Sequence, residues 1–155
     1  MDAKVVASYF IKKANRIGGE DADFDGNNDL TNLKLQKILY FAQANYIKEH
    51  NGEKLFDNDI EAWQFGPVVK DVYEWLKGCG AFVITEMDVE LYDTDGIPDD
   101  TRKFLDKIWN KYNKLSAWGL VQKTHKAGSA WSKTYRGGLG NKKVISPDLM
   151  ATSTM

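Results

Sequence analysis

Apolar residues recur at intervals of three and four along most of this chain. Ala3, Val6, Ala7, Phe10, Ile11, Ala14 and Ile17 fall on one face of an amphipathic helix, which Gly18-Gly19 should end. After a polar, acidic stretch the pattern doubles. Leu35, Ile38, Leu39, Ala42 and Tyr46 form one stripe, and Leu33, Tyr40, Phe41, Ala44 and Ile47 form a second. A helix apolar on two sides belongs in the middle of a domain. Thr31 is placed to cap it, and Asn51-Gly52 to stop it after about His50. Residues 61–65 read as a short strand. Gly66 breaks the strand, and Pro67 should open a helix to about Lys77 with Val69, Val72, Tyr73 and Leu76 inward.

The period then shortens. Val83, Thr85, Met87, Val89 and Leu91 alternate with Ile84, Glu86, Asp88 and Glu90, which predicts an exposed strand or hairpin arm over 82–92. Pro98 begins a further helix, with Phe104, Leu105, Ile108, Trp109 and Tyr112 on one face. Ser116 should cap a shorter helix ending near His125. Val144-Ile145 reads as a last strand, and Ser146-Pro147-Asp148 as the opening of a final helical turn. The expected fold is mainly α with a small β element, a single compact domain over residues 1–150 followed by a disordered tail at 151–155.

The chain has 155 residues, enough for one domain with a substantial core. Its five Trp, seven Tyr and seven Phe point to an aromatic-rich interior. A lone cysteine, Cys79, fits a reducing compartment. The apolar run Val5–Ile11, interrupted by Lys12-Lys13, is too short to span a bilayer. These features place the protein in the cytoplasm, away from membranes. Net charge is −1, but unevenly spread. Acidic residues gather at Glu20–Asp29 and again at Glu86–Asp100, while the stretch from Arg102 to Lys143 is strongly basic. Such polarity can steer a charged partner, or the patches can neutralise one another across the fold.

Candidate chemistry is thin. Asp21, Asp23 and Asp25 followed by Gly26 begin like a calcium-binding loop, and Asp29 could add a carboxylate. Asn28 and Asn32 stand where that loop needs an apolar residue and a bidentate acid, so a polar loop bonding its own backbone is the better reading. His50, His125 and Cys79 lack the paired spacing of a zinc site. Gly137-Gly138 and Gly140 lack the flanking strand and Lys-Ser/Thr of a phosphate loop. Thr124 and His125 are sequence neighbours and so do not face each other on a helix. No catalytic residue, cofactor or metal is expected. His125 reads as a structural residue bonding backbone near Trp131, with partner contact as the alternative.

Three blocks carry a family resemblance. Thr31, Lys34, Leu35, Gln36, Lys37, Ile38, Leu39 and Tyr40 form the first; Ala62, Trp63, Phe65, Gly66, Pro67, Val68, Val69, Val72 and Tyr73 the second; Trp109, Tyr112, Leu120, Thr124, His125 and Trp131 the third. Together they resemble the Panacea antitoxin domain, also called SocA-like or GepA-like and common in prophages. Ala130 departs from the pattern, standing where the family usually has proline. The resemblance implies a non-enzymatic antitoxin of a type II toxin–antitoxin system, binding a cognate toxin protein directly, with homo-oligomer formation or delivery of the toxin to a protease as further roles. If the toxin is basic, charge complementarity favours the acidic arm of Asp88, Glu90 and Asp93 as contact surface. A nucleic-acid-binding phage protein is the rival reading, resting on the basic stretch with Trp118, Trp131 and Tyr135 interleaved. The near-zero net charge and the lack of a nucleic-acid module speak against it.

Overall fold

In the computed structural model, the doubly apolar segment is a central helix. The structure describes residues 1–20 and 29–155, with residues 17–20 described by their backbone alone. The chain runs α1 (Ala3–Glu20), α2 (Asn32–Glu49), β1 (Ile60–Trp63), β2 (Gly66–Val69), α3 (Lys70–Leu76), α4 (Asp99–Tyr112), α5 (Ala117–Thr124), α6 (Ala130–Tyr135), β3 (Lys143–Val144) and α7 (Pro147–Thr152). Helix α2 packs against α1, α3, α4, α5, α7 and β2, which is why it is apolar on both sides. Two stacked pairs fill the space around it: Phe10 on Trp109 at 5.9 Å and Phe41 on Tyr112 at 4.4 Å between ring centroids. The hydroxyls of Thr31, Ser116, Ser129 and Ser146 cap α2, α5, α6 and α7, each accepting from a backbone N–H three residues on.

The polar residues that α2 buries all serve as ties. Gln43 accepts from the amides of Leu55 and Phe56 and donates to the Phe56 carbonyl, holding the connector between α2 and β1. Lys34 bridges both oxygens of Asp29 at 2.8 and 2.9 Å and donates to the Asn113 carbonyl at 2.7 Å.

Four local expectations are corrected. Pro67 does not open a helix. It lies in β2, paired with Ala62 of β1 in an antiparallel hairpin, and α3 starts only at Lys70. Gly66, at φ 110°, makes the turn. The sheet order is β2-β1-β3, so β2 is an edge strand, where a missing N–H is tolerated. Secondly, residues 82–92 form no strand, because their backbone is held by α1 side chains instead of a neighbouring strand. The Glu86 amide donates to Asn15 and the Tyr92 amide to Ser8. Thirdly, α1 continues through Gly18-Gly19 to Glu20, a cost of about 1 kcal/mol per glycine relative to alanine. Fourthly, Trp131 sits on a helix, α6, that the Gly- and Lys-rich composition concealed. Ala130 is its first residue after the Ser129 cap, a position at which proline and alanine are both accommodated.

At the C-terminus, Ala151 and Thr152 complete α7, Lys48 donates to the carbonyls of Ala151 and Ser153, and Thr154 bridges Ser129. Among the described residues no helix is long and apolar enough to cross a membrane.

Candidate functional site

The three sequence blocks converge where α2 meets the β1–β2 hairpin, α5 and α6. Gln36 accepts from the Val69 amide at 2.8 Å and donates to Asn32 at 2.9 Å. The next residue, Lys37, is fully buried and donates to the Pro67 carbonyl at 2.9 Å. No carboxylate among the described residues pairs with it, and burial lowers its ammonium from the ordinary 10.5 to about 7. Its aliphatic stem lies against Gly66: a Cβ there would fall 2.8 Å from Lys37 Cε and 2.9 Å from Thr124 Oγ1. Glycine at 66 is thus required twice, by backbone conformation and by space.

Thr124 donates to the Val121 carbonyl at 2.7 Å, and its own carbonyl accepts from Ser129 at 2.7 Å, fastening α5 to α6. Among the described residues the His125 ring bonds no backbone group, contrary to the sequence expectation. It stacks on Trp131 with centroids 3.8 Å apart, and its Nε2 finds no hydrogen-bond partner among the described residues. Burial, and then the charge of Lys37, lowers its pKa. Tyr135 stacks on the far face of the same assembly, 4.7 Å from Trp131. The Trp131 indole donates to the Trp63 carbonyl at 2.8 Å. Trp63 in turn meets Tyr73 edge-on at 4.9 Å and carries the Lys142 ammonium 5.1 Å over its ring. Val68 and Tyr40 are buried beside these groups, and burial raises the Tyr40 phenol. Of these motif residues, Gln36, Lys37 and Trp131 tie their helices to the hairpin, Lys34 ties α2 to the Asn113 carbonyl after α4, Thr124 ties α5 to α6, and Leu35, Tyr40 and Val68 are buried.

Beside this lock lies an open groove of about 530 Å³, between the start of α2, the β1–β2 turn, the end of α3 and the start of α5. Trp63, Val68 and Tyr73 form part of its wall. Phe65, 51% exposed, stands at its edge, and Trp118, 58% exposed, tilts towards it with centroids 6.0 Å apart. Leu33, expected in a buried stripe, opens onto the groove instead. Large apolar groups left facing water beside a polar rim are a mark of a contact surface.

The remaining sequence candidates lie elsewhere. Asp88, Glu90 and Asp93 are exposed on the 82–97 segment; Asp88 accepts from Thr85 and Asp93 from the Asp95 amide. None of them lines the groove. Asp21, Asp23 and Asp25 of the calcium-like loop lie outside the described residues, and Asp29 has both oxygens engaged by Lys34. No group of three or more His, Cys, Asp or Glu among the described residues is arranged to hold a metal. Of the aromatics offered for nucleic-acid stacking, Trp131 and Tyr135 stack on each other, leaving Trp118 outward. Part of the basic stretch is engaged within the fold: Arg102 donates to the carbonyls of Thr94, Asp95 and Ile97, Lys107 pairs with Glu49 at the surface, and Lys133 donates to Ser153.

Residues 35–132 match the family model described as antitoxin SocA-like, Panacea domain. Antitoxin SocA of Caulobacter vibrioides (strain NA1000 / CB15N) is 27% identical over 139 residues, covering 84% of this chain and 69% of that protein. No solved structure matches.

Proposed function

The chain belongs to the SocA-like antitoxin family defined by the Panacea domain, and from that premise we propose that it neutralises a cognate protein toxin by binding it directly, as the antitoxin of a prophage-associated type II pair. The observation that carries this reading is the division of labour at the site. The motif side chains hold the scaffold from inside, while Phe65, Trp118 and Leu33 stand outward beside them, exposed to solvent. That is the anatomy of an interface hot spot: aromatic anchors on a rigid base. The site holds no nucleophile–base pair, since Thr124 bonds the Val121 carbonyl and the His125 ring faces Trp131. The protein acts stoichiometrically, in the cytoplasm, by masking the toxin.

The exposed carboxylates Asp88, Glu90 and Asp93 form a second, peripheral contact that attracts a basic toxin surface. The test is co-expression with the product of the adjacent open reading frame. That product alone should arrest growth, and the pair should grow and co-purify as a complex. A neighbour that is harmless, or that is rescued without forming a complex, would refute direct neutralisation.

A further inference from the structure

The groove has a charge sense as well as an apolar one. Among the described residues no acid lines it, and its exposed charge is Lys77 at the end of α3; Lys37 lies in the wall but is fully buried, its ammonium held on the Pro67 carbonyl. Two helices begin at its margin. Thr31, Asn32 and Leu33 start α2, and Ala117 starts α5. Neither helix has an acidic residue in its first turn, and the positive ends of both dipoles lie at the groove margin. The cap hydroxyls of Thr31 and Ser116 each satisfy one amide, at Lys34 and Gly119, leaving the earlier amides of each first turn without an intrahelical acceptor. Between them lie Leu33, Phe65 and Tyr73, and Trp118 stands beside Phe65 with ring centroids 6.0 Å apart.

We propose that this groove seats an apolar segment of the toxin that carries a carboxylate, its hydrophobic side chains against Phe65, Trp118 and Leu33 and its negative group toward Lys77 and the first turns of α2 and α5. The inference rests on the antitoxin reading and names the chemistry of its partner. It is opposite in sign to the acidic arm at Asp88–Asp93, so the two surfaces engage different parts of the toxin. A mostly apolar lining with one exposed cation fits a protein segment better than a polynucleotide, whose phosphates require a row of cations.

The test uses the full chain and the intact toxin from the adjacent reading frame. A photo-crosslinking amino acid placed at Trp118 should join a toxin peptide that is rich in apolar residues and contains Asp, Glu or the C-terminal carboxylate. Lys77→Glu should weaken the complex about tenfold, and Lys77→Arg should leave it within about twofold, tenfold being about 1.4 kcal/mol. Amidating the toxin's carboxylate (Asp→Asn or Glu→Gln) should make Lys77→Glu nearly silent. Circular dichroism and melting of each variant confirm that these surface changes leave the fold intact. A cross-link to a Lys- or Arg-rich segment, or a toxin that binds Lys77→Glu as tightly as the parent, overturns the groove assignment while the antitoxin reading stands. Protection of an oligonucleotide by the groove in place of toxin binding overturns both.

Discussion

Replacing Lys37 by methionine should stabilise this protein, and by an amount that depends on pH. The lysine is fully buried, bonds a single carbonyl and has no counter-charge among the described residues, so folding shifts its ammonium from 10.5 to about 7. Below about pH 7 both folded and unfolded chains hold the proton, and the native state bears the whole cost of about three and a half pH units, roughly 4–5 kcal/mol. Between about 7 and 10.5 the unfolded chain binds more protons than the native one. Stability therefore rises with pH in that window, by at most about 1.4 kcal/mol per unit. Methionine has a similar length and removes the titration. It also strands the Pro67 carbonyl, a loss of about 1–3 kcal/mol. The variant should gain roughly 2–3 kcal/mol near pH 6, and that advantage should shrink by about 2.5 kcal/mol by pH 9. Urea denaturation of both proteins at several pH values, with matching m-values, measures the difference directly. Parallel stability profiles from pH 6 to 9 would refute the reasoning, since they would mean that Lys37 is solvated or paired in the folded state.

Three further outcomes follow from the same geometry. Gly66→Ala places a methyl group against Lys37 and Thr124 at a φ of 110° and should lose on the order of 2–4 kcal/mol in chemical denaturation. Trp131→Phe keeps a ring between His125 and Tyr135 but leaves the Trp63 carbonyl unpaired, for a loss of about 1–3 kcal/mol, read as a lower melting temperature. Reversing Asp88, Glu90 and Asp93 to lysine should slow association with the toxin in stopped-flow measurements and leave dissociation nearly unchanged, because exposed charges govern encounter more than residence.

Features set by neighbouring residues could be read from the sequence. The central place of α2 is written in its two apolar stripes, and Thr31, Ser116 and Ser146 announce helix starts because a cap acts on an amide three residues away. Features decided at a distance were not legible. Gly66-Pro67 is compatible with a helix start and with an edge strand, and the choice falls to Gln36 and Lys37, which bind Val69 and Pro67 from about thirty residues away. The alternation over 82–92 promises a strand only if another strand lies alongside, and α1 occupies that place. The groove is assembled from the starts of two helices, a hairpin turn and the end of a third helix, so no run of sequence marks it. Phe65 was visible within the second block and Trp118 as an isolated aromatic, but nothing local says that they meet.

Gln36 and Lys37 fasten α2 to the hairpin, and Trp131 fastens α6 to it, through interior hydrogen bonds beside the surface that Phe65, Leu33 and Trp118 present. The three outward anchors make none of these ties. A new target could be selected by diversifying Leu33, Phe65 and Trp118 in a library, with every interior tie left untouched and the scaffold reused as a retargetable binder.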